Sequence, residues 1–164
     1  MTHVQFFTAI LAFFFVVPFA ATLQKSEGGK KTPPASETQT PVEYSSAKTS
    51  ATRPFSEVVR VGNMLYLSGK LGTDSSGKLA AGGIAAETKQ TLENIRATLE
   101  ANGSSMDHVI KCTVMLADMK EWGEMNSVYT TFFKKDRMPA RSAFGTSGLA
   151  LNARVEIECI AMVK

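Results

Sequence analysis

The chain has 164 residues, 44% of them hydrophobic and 20% charged, which is one domain's worth with enough apolar content for a core. Its 18 basic and 15 acidic residues leave a net charge of +3, and no Lys/Arg cluster stands out. Such a balance gives no electrostatic footprint for nucleic acid, which is not expected as a partner.

Residues 6–21 are almost continuously apolar, and the run ends at the small residues Ala20, Ala21 and Thr22. The stretch 1–22 reads as a secretory signal peptide. Its start, Met1-Thr2-His3, carries no Lys or Arg. A cut after Thr22 fits the small-residue rule better than one after Ala21, which would put Phe19 three from the cut. The run is short for a spanning helix, so an uncleaved membrane anchor is the alternative and a buried N-terminal helix the third reading. No cysteine stands just after the run, which argues against a lipoprotein anchor. The expected location is therefore exported, periplasmic or secreted, with membrane attachment only through an uncleaved leader. Residues 23–52 change character, with Gly28-Gly29, Lys30-Lys31, Pro33-Pro34 and many Ser and Thr. Within 24–52 only Val42 and Tyr44 are large apolar side chains, so a flexible, solvated linker is expected.

The folded domain is expected over 53–164. From Pro54 onward, without Lys25, Lys30, Lys31, Lys48 and Arg53 of the basic residues and Glu27, Glu37 and Glu43 of the acidic ones, 13 basic face 12 acidic residues. Residues 57–60 and 64–68 read as strands joined by a Gly62-Asn63 turn. Residues 69–83 are glycine-rich and irregular; no Gly-Lys-Ser/Thr closes them, which argues against a phosphate loop. Residues 84–102 read as an amphipathic helix with Ile84, Thr88, Leu92, Ile95 and Leu99 on one stripe and Asn102-Gly103 as its C-cap. Glu87, Lys89, Glu93 and Arg96 lie mostly off the stripe, on a solvated face.

Residues 109–116 read as a strand. Asp118 and Glu121 resemble a capping box for a second helix over about 119–134, with Trp122, Met125, Tyr129 and Phe132 or Phe133 as its buried stripe. Residues 141–145 and 153–163 are the last strands. The order β-β-α-β-α-β-β predicts an α+β fold, a single mixed sheet with two helices on one face. Some strand runs, such as 157–162, are apolar on both parities, so the other face needs a partner and an oligomer is expected.

Cys112 and Cys159 both fall in strands, where a disulfide and buried free thiols are equally open readings. With His3 and His108 as the chain's only histidines, a metal site of N and S donors is not expected. His108, the domain's single histidine, sits beside Asp107 at a strand entrance and reads as solvated rather than as part of a triad. Arg141 and Glu156 remain. An arginine fork matches a carboxylate bidentately, and a nearby glutamate orients water or takes a proton. A structural ion pair between the two, or solvation of both, is the plainer reading.

Pro139-Ala140-Arg141-Ser142, followed by Val155-Glu156-Ile157-Glu158-Cys159, resembles the signature of the reactive-intermediate deaminase family (Rid or YjgF type, also called L-PSP endoribonuclease-like). Arg53-Pro54-Phe55-Ser56, the run from Val61 to Gly69, Thr91-Leu92-Glu93-Asn94-Ile95 and Asn126-Ser127-Val128-Tyr129 extend the resemblance over 53–164. It implies a chorismate-mutase-like fold and a homotrimer with sites between subunits. It also implies hydrolysis of enamines or imines derived from amino acids, of the 2-iminobutanoate/2-iminopropanoate type, to 2-keto acids and ammonia. Arg141 would hold the substrate carboxylate and Glu156 would place or activate water. Asn126, Ser68, Gly69, Ala143 and Phe55 would line the pocket, and neither metal nor organic cofactor is required. The family often has Tyr where this chain has Phe55, removing a hydroxyl, and Cys where it has Ala143, whose backbone N–H survives. A non-catalytic exported trimer that binds small carboxylates or a protein partner is the alternative, and RNA cleavage the third reading.

Overall fold

The computed structural model describes residues 40–45 and 54–164. The expected signal peptide, 1–22, and most of the expected linker lie outside these residues. Among the described residues no helix is long and apolar enough to cross a membrane. The elements are β1 (Val42–Ser45), β2 (Val58–Val61), β3 (Met64–Leu67), β4 (Lys70–Leu71), α1 (Gly83–Ala101), β5 (Val109–Leu116), α2 (Trp122–Tyr129), β6 (Ala140–Gly145) and β7 (Val155–Met162). All strands join one mixed sheet in the order β1-β2-β3-β7-β5-β6, and β4 continues the pairing of β3 along β7. Among the described residues only β5 and β6 run parallel, and the other strand pairs are antiparallel.

The strands alternate, as a sheet covered on one side requires. Val155, Ile157, Cys159 and Ala161 of β7 are buried, and so are Cys112, Val114 and Leu116 of β5. Both helices cover that face: the core joins these residues to Ile84, Leu92, Ile95 and Leu99 of α1 and Met125 and Tyr129 of α2. Fully burying one such side chain contributes roughly 1.5–3 kcal/mol. The expected stripe of α1 is thus the observed one, Thr88 included. The helix ends in a Schellman motif, with Ser104 N–H donating to Leu99 O (2.9 Å), Gly103 N–H to Glu100 O (3.2 Å), and Gly103 at φ 75°.

Four expectations change. The sheet begins inside the expected linker, because β1 pairs with β2 from Val42↔Val61 to Ser45↔Val58. Its four residues are all exposed, so main-chain pairing at an edge holds it and no apolar period marks it. The irregular stretch contributes β4. Glu87 is buried rather than solvated: its Oε2 accepts the Arg154 N–H at 2.8 Å, and Arg154 also pairs with Glu121. Finally, α2 is shorter than expected and is flanked by 3₁₀ turns at Met119–Glu121 and Thr130–Phe132. Asp118 caps Lys120 N–H (2.9 Å), but Glu121 turns to Arg154 instead of closing the box. The hydroxyls of Ser127, Thr130 and Thr131 bond back to carbonyls three or four residues earlier, competing with a longer helix.

The uncovered face carries Tyr66 (43% exposed), Phe144 (46%) and Met162 (36%). A bulge interrupts the β3–β4 edge: Tyr66 faces Ile160 and Lys70 faces Ile157, four steps against three. Gly69 lies in that bulge, which re-aims the backbone next to β7.

Candidate active site

Arg141 sits on β6, the edge strand beside β5. It stands opposite Cys112, and Ala143 opposite Val114. Directly opposed residues share a face, so Arg141 and Ala143 turn toward the helices. The guanidinium lies 4.5 Å from the Tyr129 ring centroid and 5.7 Å from that of Trp122. Trp122, Asn126 and Tyr129 follow one another at helical spacing, which puts Asn126 on the stripe that faces the arginine. Trp122 is 39% exposed, so it leaves the expected core stripe and serves as a platform.

The other described arginines are committed. Arg96, Arg137 and Arg154 each face a carboxylate, and Arg60 donates to Gly62 O at 2.8 Å. Arg141 has no carboxylate partner among the described residues, and its Nη1 is buried without an acceptor. A buried cationic donor left unpaired is costly, so this geometry is suited to an incoming anion. Burial, with Cys112 beside it, pushes the Tyr129 ionisation up, so this side chain stays neutral.

Glu156 belongs to the opposite face. Its neighbours Val155 and Ile157 point to the core, and it stands between Leu71 of β4 and Met115 of β5. Burial first, then the charge of Glu158, raises its ionisation from the ordinary glutamate value. Gly69 makes room for it: a Cβ at Gly69 would lie 2.0 Å from Glu156 Oε1. Phe55, Ser68 and Gly69 line a cleft of about 670 Å³ with Gln90, Asn94 and Leu151. Ser68 Oγ donates to Ser56 O at 2.7 Å, and Lys70 pairs with Glu57 at the cleft wall.

The expected site residues therefore fall into two groups. Arg141, Ala143 and Asn126 share the helix side of β6; Glu156 and Gly69 lie together, with Ser68 and Phe55 along the adjoining cleft. Strand β5 and the thickness of the sheet separate Arg141 from Glu156, so the plain ion pair between them does not form within one chain. Sequence reasoning missed Trp122 and Tyr129 as the arginine's platform. Their spacing of seven was visible, but core packing has the same period. It also missed Leu151, an exposed apolar residue at φ 59° on the cleft.

The family model described as Endoribonuclease L-PSP matches residues 45–163. The chain is 44% identical to the mouse protein named 2-iminobutanoate/2-iminopropanoate deaminase over 110 residues, which is 66% of this chain and 81% of the mouse protein. The human protein of the same name is 41% identical over 66% of this chain and 80% of its own length. Among solved structures, RidA from an Antarctic Psychrobacter superposes with a TM-score of 0.65 at 33% identity, covering 76% of this chain and 98% of that one. Yeast Mmf1 gives a TM-score of 0.66 at 34% identity, covering 76% and 98%.

Proposed function

The chain belongs to the Endoribonuclease L-PSP family, and from that premise we propose that it hydrolyses reactive enamines and imines derived from amino acids to 2-keto acids and ammonia. The substrate class is that of 2-iminobutanoate and 2-iminopropanoate, the name its mammalian relatives carry. The observation that carries this reading is Arg141, a platform-held guanidinium with an unsatisfied buried donor. It binds the substrate carboxylate through its fork of donors.

Water adds to the imine carbon, giving a carbinolamine. The nitrogen takes a proton and leaves as ammonia, and the carbonyl forms. Glu156 serves this sequence because its raised ionisation suits a group that first accepts and then returns a proton. The imine is intrinsically labile in water, so positioning and charge stabilisation suffice.

Arg141 and Glu156 lie on opposite faces of one copy, and the uncovered face is apolar at Tyr66, Phe144 and Met162. Both facts support a homotrimer with each site between neighbouring copies, Arg141 from one and Glu156 from the next. The leader over 1–22 is proposed to export the protein. The test uses the full chain, an amino-acid oxidase that makes 2-iminopropanoate in situ, and semicarbazide as scavenger. Added protein is expected to lower semicarbazone formation, and Arg141→Ala to reduce the effect by about 10²–10³-fold. Full activity in the variant sinks the assignment. An inactive but folded wild type leaves carboxylate binding as the reading, with Phe55 and Ala143 the first suspects. RNA cleavage by the same preparation, lost in Arg141→Ala, moves the assignment to the ribonuclease the family description names.

A further inference from the structure

Two thiols lie beneath the arginine, and the proposed hydrolysis uses neither. Cys112 and Cys159 stand directly opposite each other in the antiparallel register of β5 and β7. Both are free and buried, with their Sγ atoms 2.8 Å apart. Directly opposed residues of an antiparallel pair have Cα atoms about 4.5–5.5 Å apart. A disulfide spans about 4.4–6.8 Å, so closure needs little backbone movement. On its other side, Cys112 faces Arg141 of β6. Tyr129, the nearer ring under the guanidinium, is buried beside Cys112 with its hydroxyl unpartnered. One sulfur thus adjoins both a second thiol and the platform of the anion site.

We propose that Cys112 and Cys159 form a reversible dithiol–disulfide site, oxidised by a small peroxide, whose state is transmitted to Arg141. The pair is asymmetric. The hydrogen bond shared with the Cys159 sulfur lowers the Cys112 ionisation despite burial, with the charges of Arg141 and Lys111 adding to it. The same bond, together with burial, raises Cys159. Cys112, which stands directly opposite the Arg141 cation, is the attacking thiolate.

Its sulfur attacks one peroxide oxygen; the S–O bond forms, the O–O bond breaks, and hydroxide leaves to become water. The resulting sulfenic acid is then attacked by Cys159. The S–S bond forms, the S–O bond breaks, and the departing oxygen takes the Cys159 proton as a second water. Two thiols lose two electrons, and one peroxide gains them. Entry is assigned to local opening of β6, which among the described residues is an edge strand paired only with β5. Closure withdraws the Cys112 thiol from beside Tyr129, and the ring and guanidinium stacked on it shift.

The competing role is a pair of inert core thiols. The test takes the reduced full chain, treats it with hydrogen peroxide under native conditions, then unfolds it in an alkylating agent for thiol counting and peptide mass mapping. Both thiols are expected to disappear together, in one peptide pair joining Cys112 to Cys159, and to return with dithiothreitol. Two alkylatable thiols, or separate oxygen adducts on each cysteine without a link, overturn the proposal. Trp122, the only tryptophan, reports transmission. Its selectively excited emission is expected to change on oxidation and recover on reduction. A disulfide that leaves the emission unmoved overturns the coupling to Arg141. A Cys159→Ser chain under the same treatment is expected to accumulate oxygen adducts on Cys112. None of these readouts depends on deaminase activity.

Discussion

At the scale of single residues, the site depends on one unpaired cation and one glycine. Arg141→Lys keeps the charge but loses the planar fork and much of the stacking on Tyr129 and Trp122. Its expected defect is a large rise in KM for the imine with a smaller fall in kcat, read by the semicarbazone assay at varied oxidase flux. Gly69→Ala places a methyl where Glu156 Oε1 now sits, 2.0 Å away, so the carboxylate must move. Activity is expected to drop by at least tenfold while carboxylate binding, measured by calorimetry with a 2-keto acid, changes little. Equal loss of both would mean that Gly69 supports the arginine side as well. Glu156 also sets a pH dependence. Its folded ionisation lies above the ordinary value of 4.5 because of burial and then Glu158. A group raised on folding stabilises the fold fully below its unfolded value, and that contribution is lost as pH rises through the folded value. Glu156→Gln is therefore expected to flatten the decline of melting temperature between those two points. Turnover runs the other way, because the carboxylate form is needed to accept a proton, so kcat/KM should rise across the same window in the parent chain.

At the scale of elements, α1 was legible because its apolar stripe, its glycine punctuation and its length all agree. The period of Ile84, Thr88, Leu92, Ile95 and Leu99 settles its buried face without any partner. Its C-terminal stop depends on Gly103 at φ 75°. Gly103→Ala forces a side chain into that conformation and is expected to cost about 1 kcal/mol, read as a lower denaturant midpoint at unchanged slope. Strand β1 was not legible, because Val42, Glu43, Tyr44 and Ser45 are all exposed and only the hydrogen bonds offered by β2 recruit them. The end of α2 was hidden for another reason. Trp122 has the right spacing for the core, but the core is already closed by Met125 and Tyr129, and the indole is left to the arginine. Glu87 shows the same limit: its partner is the backbone of Arg154, 67 residues away, and no local pattern encodes it.

At the scale of the whole molecule, the separation of Arg141 from Glu156 becomes a measurement. Their residue types identify them in the sequence, but the faces they occupy depend on strand register, and register is fixed only by pairing across β5. If neighbouring copies supply the two halves, Arg141→Ala and Glu156→Gln spoil different halves of every site. Each variant alone is expected to be inactive. Unfolded together in equal amounts and refolded, they assemble at random, and a site is intact only where an Arg141-bearing copy meets a Glu156-bearing one. In a closed ring the chance at each interface is one half times one half, so about a quarter of parental activity should return. The same mixture kept folded should stay inactive until subunits exchange. Recovery near a quarter, with a trimeric mass by light scattering, places one site at each junction. No recovery from refolded mixed trimers means that Arg141 and Glu156 do not act across one interface, and an active Glu156→Gln chain would leave the site to Arg141, Asn126 and Ala143 without the glutamate.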